Sequence, residues 1–395
     1  MGLPSVDIEI QNGALGLTAG SADGVAALVV SGVAVASNID LLEPKQIFST
    51  DEAKALGLDE AYDTANGTEV WKNIKDFYAQ AGEGAALWVM LYVNTTLMVT
   101  VADKANDIAK KVLDAAGGNI RLMAIGRIPD GAYVPAYTSG FDDDAYDSIA
   151  IAHALAEEYA GEFKPLRVLI GANDYQGNVA NLTDLKGNTN NRVGVVIGND
   201  VATSKAASIG LALGRLAANP VQRNIGRVKD GDLGVTDSFM SDGLTTIESM
   251  TAGEQGQLHD KGYIFMRPWQ GKNGYFFNDD PTATAASDDY SSIARGRVID
   301  KAMVITYGTY IEEILDDLDV DEDGYMDAAV AKSYQAKIQN ALDLGLADEV
   351  SSVRATVDAK QNVLSTNKVS VALAVRPKFY SKTIDVKLGF ENPAI

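Results

Sequence analysis

The two ends of the chain constrain it most. Near the start, Val6, Ile8 and Ile10 alternate with Asp7, Glu9 and Gln11. At the far end, Ile384, Val386, Leu388 and Phe390 alternate with Asp385, Lys387, Gly389 and Glu391. Side chains on a strand point to opposite faces with period two, so each segment is expected to be a β-strand with one apolar face. Each lies beyond a break, Asn12-Gly13 after the first and Arg376-Pro377 before the second. A terminal strand of this kind needs a sheet edge to pair with, and that edge is expected on another molecule. Burying four apolar side chains stabilises by roughly 6–12 kcal/mol at most. Ordering about eight residues costs roughly 8–16 kcal/mol. The two nearly cancel, so the arms are expected to order only where an edge is already formed.

The chain has 395 residues, enough for two or three domains. Its formal net charge of −21 opposes binding to nucleic acid or to an anionic membrane surface. There is no cysteine, which excludes disulfides and thiolate chemistry. Met1-Gly2-Leu3-Pro4 does not read as a secretory leader, and no apolar run approaches membrane-spanning length, so no membrane insertion is expected.

Between residues 25 and 220, apolar runs alternate with amphipathic stretches. Ala26 to Ala36, Ala85 to Val93, Ile120 to Ile125, Leu166 to Ile170 and Arg192 to Ile197 are expected as strands, with Leu97 to Val101 as a further one. Helices are expected over Thr68 to Ala81, Ala102 to Ala116, Asp144 to Tyr159 and Ser204 to Ala217. This order predicts an α/β class, α+β overall, with a mostly parallel or mixed sheet and flanking helices. Farther on, Tyr263 to Arg267 and Tyr275 to Phe277 are expected as strands. Long helices over Tyr290 to Leu318 and Ala328 to Leu344 come next, then strands over Val353 to Val357 and Lys368 to Val375.

Asp319, Asp321, Asp323, Gly324, Tyr325 and Asp327 match the first nine positions of an EF-hand calcium loop. The carboxylates of Asp319, Asp321, Asp323 and Asp327 and the carbonyl of Tyr325 are the candidate Ca2+ ligands. Val330 stands at position twelve, where a bidentate glutamate belongs. The competing reading is an acidic turn between two helices. Asp142, Asp143 and Asp144 are expected to cap a helix. Gly210 and Gly214, one turn apart, are expected to permit close helix packing. No nucleophile elbow, metalloprotease motif or phosphate loop is present, so no catalytic residue is assigned.

Ser208 to Leu233 (SIGLALGRLAANPVQRNIGRVKDGDL) and Gly262 to Lys301 (GYIFMRPWQGKNGYFFNDD, then DDYSSIARGRVIDKA) resemble contractile tail sheath proteins of myophages, tailocins and related injection systems. The resemblance implies a four-part chain. These parts are an N-terminal arm over 1–22, an outer α/β domain over 23–255, a conserved α+β sheath domain over 256–376 and a C-terminal arm over 377–395. It also implies a non-enzymatic subunit whose arms add strands to neighbouring subunits. Such subunits form hexameric rings stacked into a helical tube around an inner tail tube protein, with baseplate and tail terminator proteins as partners. The expected location is the tail of a virion or injection particle, assembled in the bacterial cytoplasm. No cofactor is required, Ca2+ excepted. Two other readings stand beside it: a calcium-binding adhesive module, and an α/β enzyme using the loop at Gly171 to Asp174.

Overall fold

The computed structural model describes residues 22–390. It divides into two compact units, Met1–Gly308 and Thr309–Ile395. The first is built on strands β1 (Ala26–Ser31), β2 (Lys45–Ile47), β3 (Leu87–Tyr92), β4 (Leu122–Gly126) and β5 (Arg167–Gly171). Two-residue β6 (Thr189–Asn190), then β7 (Val193–Val196), β8 (Gly198–Asn199), β9 (Phe239–Met240) and β10 (Tyr263–Ile264) follow. The main sheet runs β10-β7-β5-β4-β1-β3-β2. Every pairing in it is parallel except that of β2 with β3. β11 (Met266–Pro268) pairs with β12 (Tyr275–Phe277), and β13 (Ala283–Thr284) pairs with β6.

The sequence of β1 explains its central place. AALVVS is buried at every position. Ala27 and Val29 enter the core on one face, and Ala26, Leu28 and Val30 enter the core on the other. A strand covered on both sides is apolar throughout instead of alternating. One face is covered by α4 (Met98–Ala102), α5 (Ile108–Ala115) and α6 (Asp143–Gly161), the other by α3 (Val70–Ala81) and α7 (Ile209–Ala218). Short α1 (Thr50–Ala55) and α2 (Glu60–Asn66) precede α3, and α8 (Ala252–Asp260) precedes β10. Helices α3 and α7 touch through glycines. A Cβ on Gly210 would lie 2.2 Å from the Asn73 carbonyl oxygen, and one on Gly214 would lie 2.4 Å from that of Phe77.

One expectation is corrected. Leu97 to Val101 is not a strand. It forms the short helix α4, because the Asp144 carboxylate accepts from the Met98 and Val99 amides at 2.8 and 3.1 Å and satisfies that helix start. The compact unit that holds the main sheet runs on to Gly308. β10 is an edge strand of the main sheet, and α9 (Ile293–Tyr310) is buried in the same unit over its first half. The Asp142 carboxylate caps the start of α6 as expected, whereas that of Asp143 binds the loop that precedes it. Asp142 accepts from Asp144 N, while Asp143 accepts from Thr138 N and Ser139 N.

The RGRVIDK run in α9 has a defined structural task. Arg167, on β5, donates to Asp300 from Nε at 2.6 Å and from Nη2 at 2.9 Å, and to the Gly296 carbonyl at 3.0 Å. Only glycine fits there, since a Cβ at 296 would lie 2.3 Å from that guanidinium. Arg192 adds a second contact to Asp300 at 3.0 Å. Arg297 donates to the Leu216 and Asn219 carbonyls at the end of α7, and Lys301 pairs with Asp23 at 2.8 Å. All three members of the Arg167–Asp300–Arg192 cluster are buried. Removing one partner of a buried pair strands the other charge, which costs about 3–5 kcal/mol. Asp300→Ala is therefore expected to lose about that much in urea-induced unfolding. A loss under about 1 kcal/mol would contradict this role.

Candidate assembly interface

The second unit contains α10 (Ala328–Gly345), β14 (Val350–Val357), α11 (Val363–Thr366) and β15 (Val371–Pro377). β14 and β15 form a two-stranded antiparallel sheet. The apolar stripe of α10, Ala331, Tyr334, Ile338 and Leu342, is buried. With Met326, Val357 and Val363, its Ala331 and Tyr334 form a small core, against which Val371 packs. Tyr310 stacks on Tyr334 with ring centroids 5.9 Å apart and donates to its carbonyl at 3.1 Å. Burial pushes the Tyr310 phenol up to about 12, so it stays neutral near pH 7. The opposite face of the hairpin, with Ser352, Arg354, Thr356, Ala372, Ala374 and Arg376, is exposed.

The edges of this hairpin differ. In an antiparallel pair, alternate residues turn their N–H and C=O toward the partner strand and the others turn them away. Gln339 of α10 accepts from the Ala355 amide at 2.8 Å and donates to the Val353 carbonyl at 3.1 Å. Gln335 accepts from the Val357 amide at 3.4 Å. Residues 353, 355 and 357 thus face away from β15, and glutamine side chains of α10 occupy that edge. Their register partners are Val375, Leu373 and Val371. By the same alternation, these three present N–H and C=O along the outer edge of β15. Among the described residues, no strand pairs there.

Residues 378–390 of the chain carry no helix or strand. Ile384, Val386, Leu388 and Phe390 are 79%, 77%, 97% and 108% exposed. An alternating apolar face therefore meets solvent along its whole length, close in sequence to a hairpin with an open edge. Val6, Ile8 and Ile10 lie outside the described residues.

The acidic loop is closed by its own backbone. Gly324 has φ +81°, the left-handed region that favours glycine. The Asp321 carboxylate accepts from the Asp323 and Tyr325 amides at 3.1 and 2.8 Å, and the Asp321 amide donates to the Tyr325 carbonyl at 2.9 Å. Asp327 accepts from Ala329 N and caps α10. Asn362, next to α11, donates to the Asp323 carbonyl at 2.8 Å. Among the described residues, no group of three or more acidic or histidine side chains is arranged to hold a metal ion. The Asp321 and Asp327 carboxylates are engaged with backbone amides of the loop and of the start of α10.

The loop proposed for an enzyme is also committed to structure. Asn173 donates to the Arg127 carbonyl at 2.7 Å and accepts from the Ala207 amide, and Asp174 pairs with Lys205 at 2.8 Å. The partly buried Lys72 ammonium lies 2.6 Å from both Asp76 and Asp200 and donates to Ser208 Oγ at 3.0 Å. Burial works against its charge, but the two carboxylates outweigh that and hold its pKa above the ordinary lysine range. A lysine held protonated in this way is no base for the Ser208 hydroxyl beside it. Among the described residues, no helix is long and apolar enough to cross a membrane.

The fold is that of contractile sheath proteins. The chain resembles the helical sheath of the anti-feeding prophage in its contracted state at TM-score 0.64 and 15% identity, covering 98% of this chain and 99% of that one. It resembles the contracted sheath complex of an extracellular contractile injection system, PVC, at TM-score 0.56 and 12% identity, with 98% of each chain covered. It also resembles a sheath tail protein of Listeria innocua at TM-score 0.50 and 10% identity, covering 89% of this chain and 95% of that one. The chain belongs to the DUF2586 family: residues 3–281 match its N-terminal domain and residues 289–395 its C-terminal domain. No curated protein matches it.

Asp321→Ala removes two hydrogen bonds that close the acidic turn, each worth about 1 kcal/mol. We expect stability to fall by about 1–2 kcal/mol, equally in EDTA and in millimolar Ca2+. A loss seen only with calcium present would show that the loop is a cation site instead.

Proposed function

We propose that this chain is the structural subunit of a contractile sheath, which polymerises by strand exchange and performs no catalysis. The observation that carries the reading is the pairing of an open β15 edge with an exposed, alternating apolar segment over Ile384 to Phe390. An isolated edge strand invites another chain, and main-chain hydrogen bonds give such an addition its affinity. The segment from Val6 to Ile10 carries the same alternation and serves as the second arm. One subunit therefore offers acceptor edges on its hairpin and donor strands at its ends, and copies of it form a closed ring or a helix.

The further features are drawn by analogy with other sheaths and are part of this proposal. Six-membered rings stack around an inner tube protein, bounded by baseplate and terminator proteins, in a tail or injection particle assembled in the bacterial cytoplasm. Contraction draws its work from the difference in packing energy between two lattices, while exchanged strands keep neighbours linked as their bodies move. The acidic surface suits a subunit kept soluble before assembly. No cofactor is needed for any of these steps, and Ca2+ at the acidic turn is an optional stabiliser at most.

Purified full-length protein, concentrated and viewed by negative-stain microscopy, is expected to form hollow tubes or rings. Deleting residues 380–395 or 1–12 is expected to abolish them while the circular dichroism of the monomer is retained. Tubes from both truncations would overturn the strand-exchange reading.

A further inference from the structure

Among the described residues, the hairpin of the second unit has one edge that no strand pairs and one edge covered by side chains, and the cover has the chemistry of a peptide unit. The Gln339 side-chain amide accepts from Ala355 N–H and donates to Val353 C=O, as the backbone of a paired strand does. Gln335, one turn earlier on α10, repeats half of this at Val357. Asp343, one turn later, accepts from Gln339 Nε2 at 3.0 Å and orients the amide. Gln335 and Gln339 are only partly buried, so water can replace them without opening the core beneath. On the other side of the hairpin, among the described residues, no strand pairs with Leu373 or Val375.

We propose that Gln339, helped by Gln335, is a gate on the β14 edge. Its amide stands in for an incoming strand in the free subunit and swings away when an arm of a second copy of this chain pairs with residues 353–357. The inference rests on the strand-exchange reading above and adds an order to it. The β15 edge is available at once, whereas the β14 edge must first release two glutamines. A subunit built this way has one ready acceptor and one delayed acceptor. Stray pairing between free subunits is thereby held back until a neighbour is already in place at high effective concentration.

The test uses the full-length chain. Sedimentation of assembled material over a concentration series gives the critical concentration for wild type, Gln339→Ala and Gln339→Glu. Each is compared with and without deletion of residues 1–12 and 380–395. The gate predicts that Gln339→Ala assembles at about tenfold lower concentration, the equivalent of ~1.4 kcal/mol. Gln339→Glu keeps the acceptor for Ala355 N–H and loses the donor to Val353 C=O, so it falls between the two. It also serves as the readout should the alanine variant fail to fold. A critical concentration unchanged or raised in the folded variants overturns the gate and leaves the strand-exchange reading standing. Assembly that survives loss of both arms, in wild type and variant alike, overturns that underlying reading instead.

Discussion

Backbone N–H and C=O groups are obligatory hydrogen-bonding partners, and a strand edge without a partner exposes a row of them. In the second unit that requirement is met on one side by two glutamines and on the other by nothing among the described residues. The arrangement makes sense for a chain that is completed only in company. The exposed apolar side chains from Ile384 to Phe390 have the same logic. They are too few to order their own segment against its conformational entropy, and sufficient once a preformed edge supplies the hydrogen bonds.

The first unit meets the opposite demand. Its parallel sheet is buried on both faces, its α3–α7 contact is tightened by Gly210 and Gly214, and Asp300 ties α9 to β5 through Arg167. Such a body resists deformation, because close-packed interiors have few voids and discrete arrangements. On the proposed sheath reading, a stiff body and exchangeable ends are what a subunit moving between two lattices requires. The buried ionic cluster at Asp300 orients specific elements; as a source of net stability it is weak, since desolvation offsets most of its attraction.

Much of the sheet was legible because its strands are continuous apolar runs. AALVV at 26–30 and LWVMLY at 87–92 admit few other readings once helices alternate with them. The run from Leu97 to Val101 is too short to carry a usable period, with four apolar residues and Thr100. What decides it is Asp144, far along the chain, whose carboxylate caps the start of α4. The acidic turn was legible in Asp321 and Gly324, and the Asp321 carboxylate closes it by accepting from the Asp323 and Tyr325 amides. The glutamines over β14 left no signal beyond Gln335, Gln339 and Asp343 standing four apart beside the apolar stripe of α10. Glutamine is an ordinary helix former, so its target could be known only from the fold.

Residue-level hydrogen exchange at the β15 edge tests the central claim most directly. The amides of Leu373 and Val375 are expected to exchange quickly in the free subunit, because among the described residues no strand covers them, and to become protected by several orders of magnitude in assembled tubes. Equal protection in both states would contradict the account, since the edge would then be closed from within a single chain.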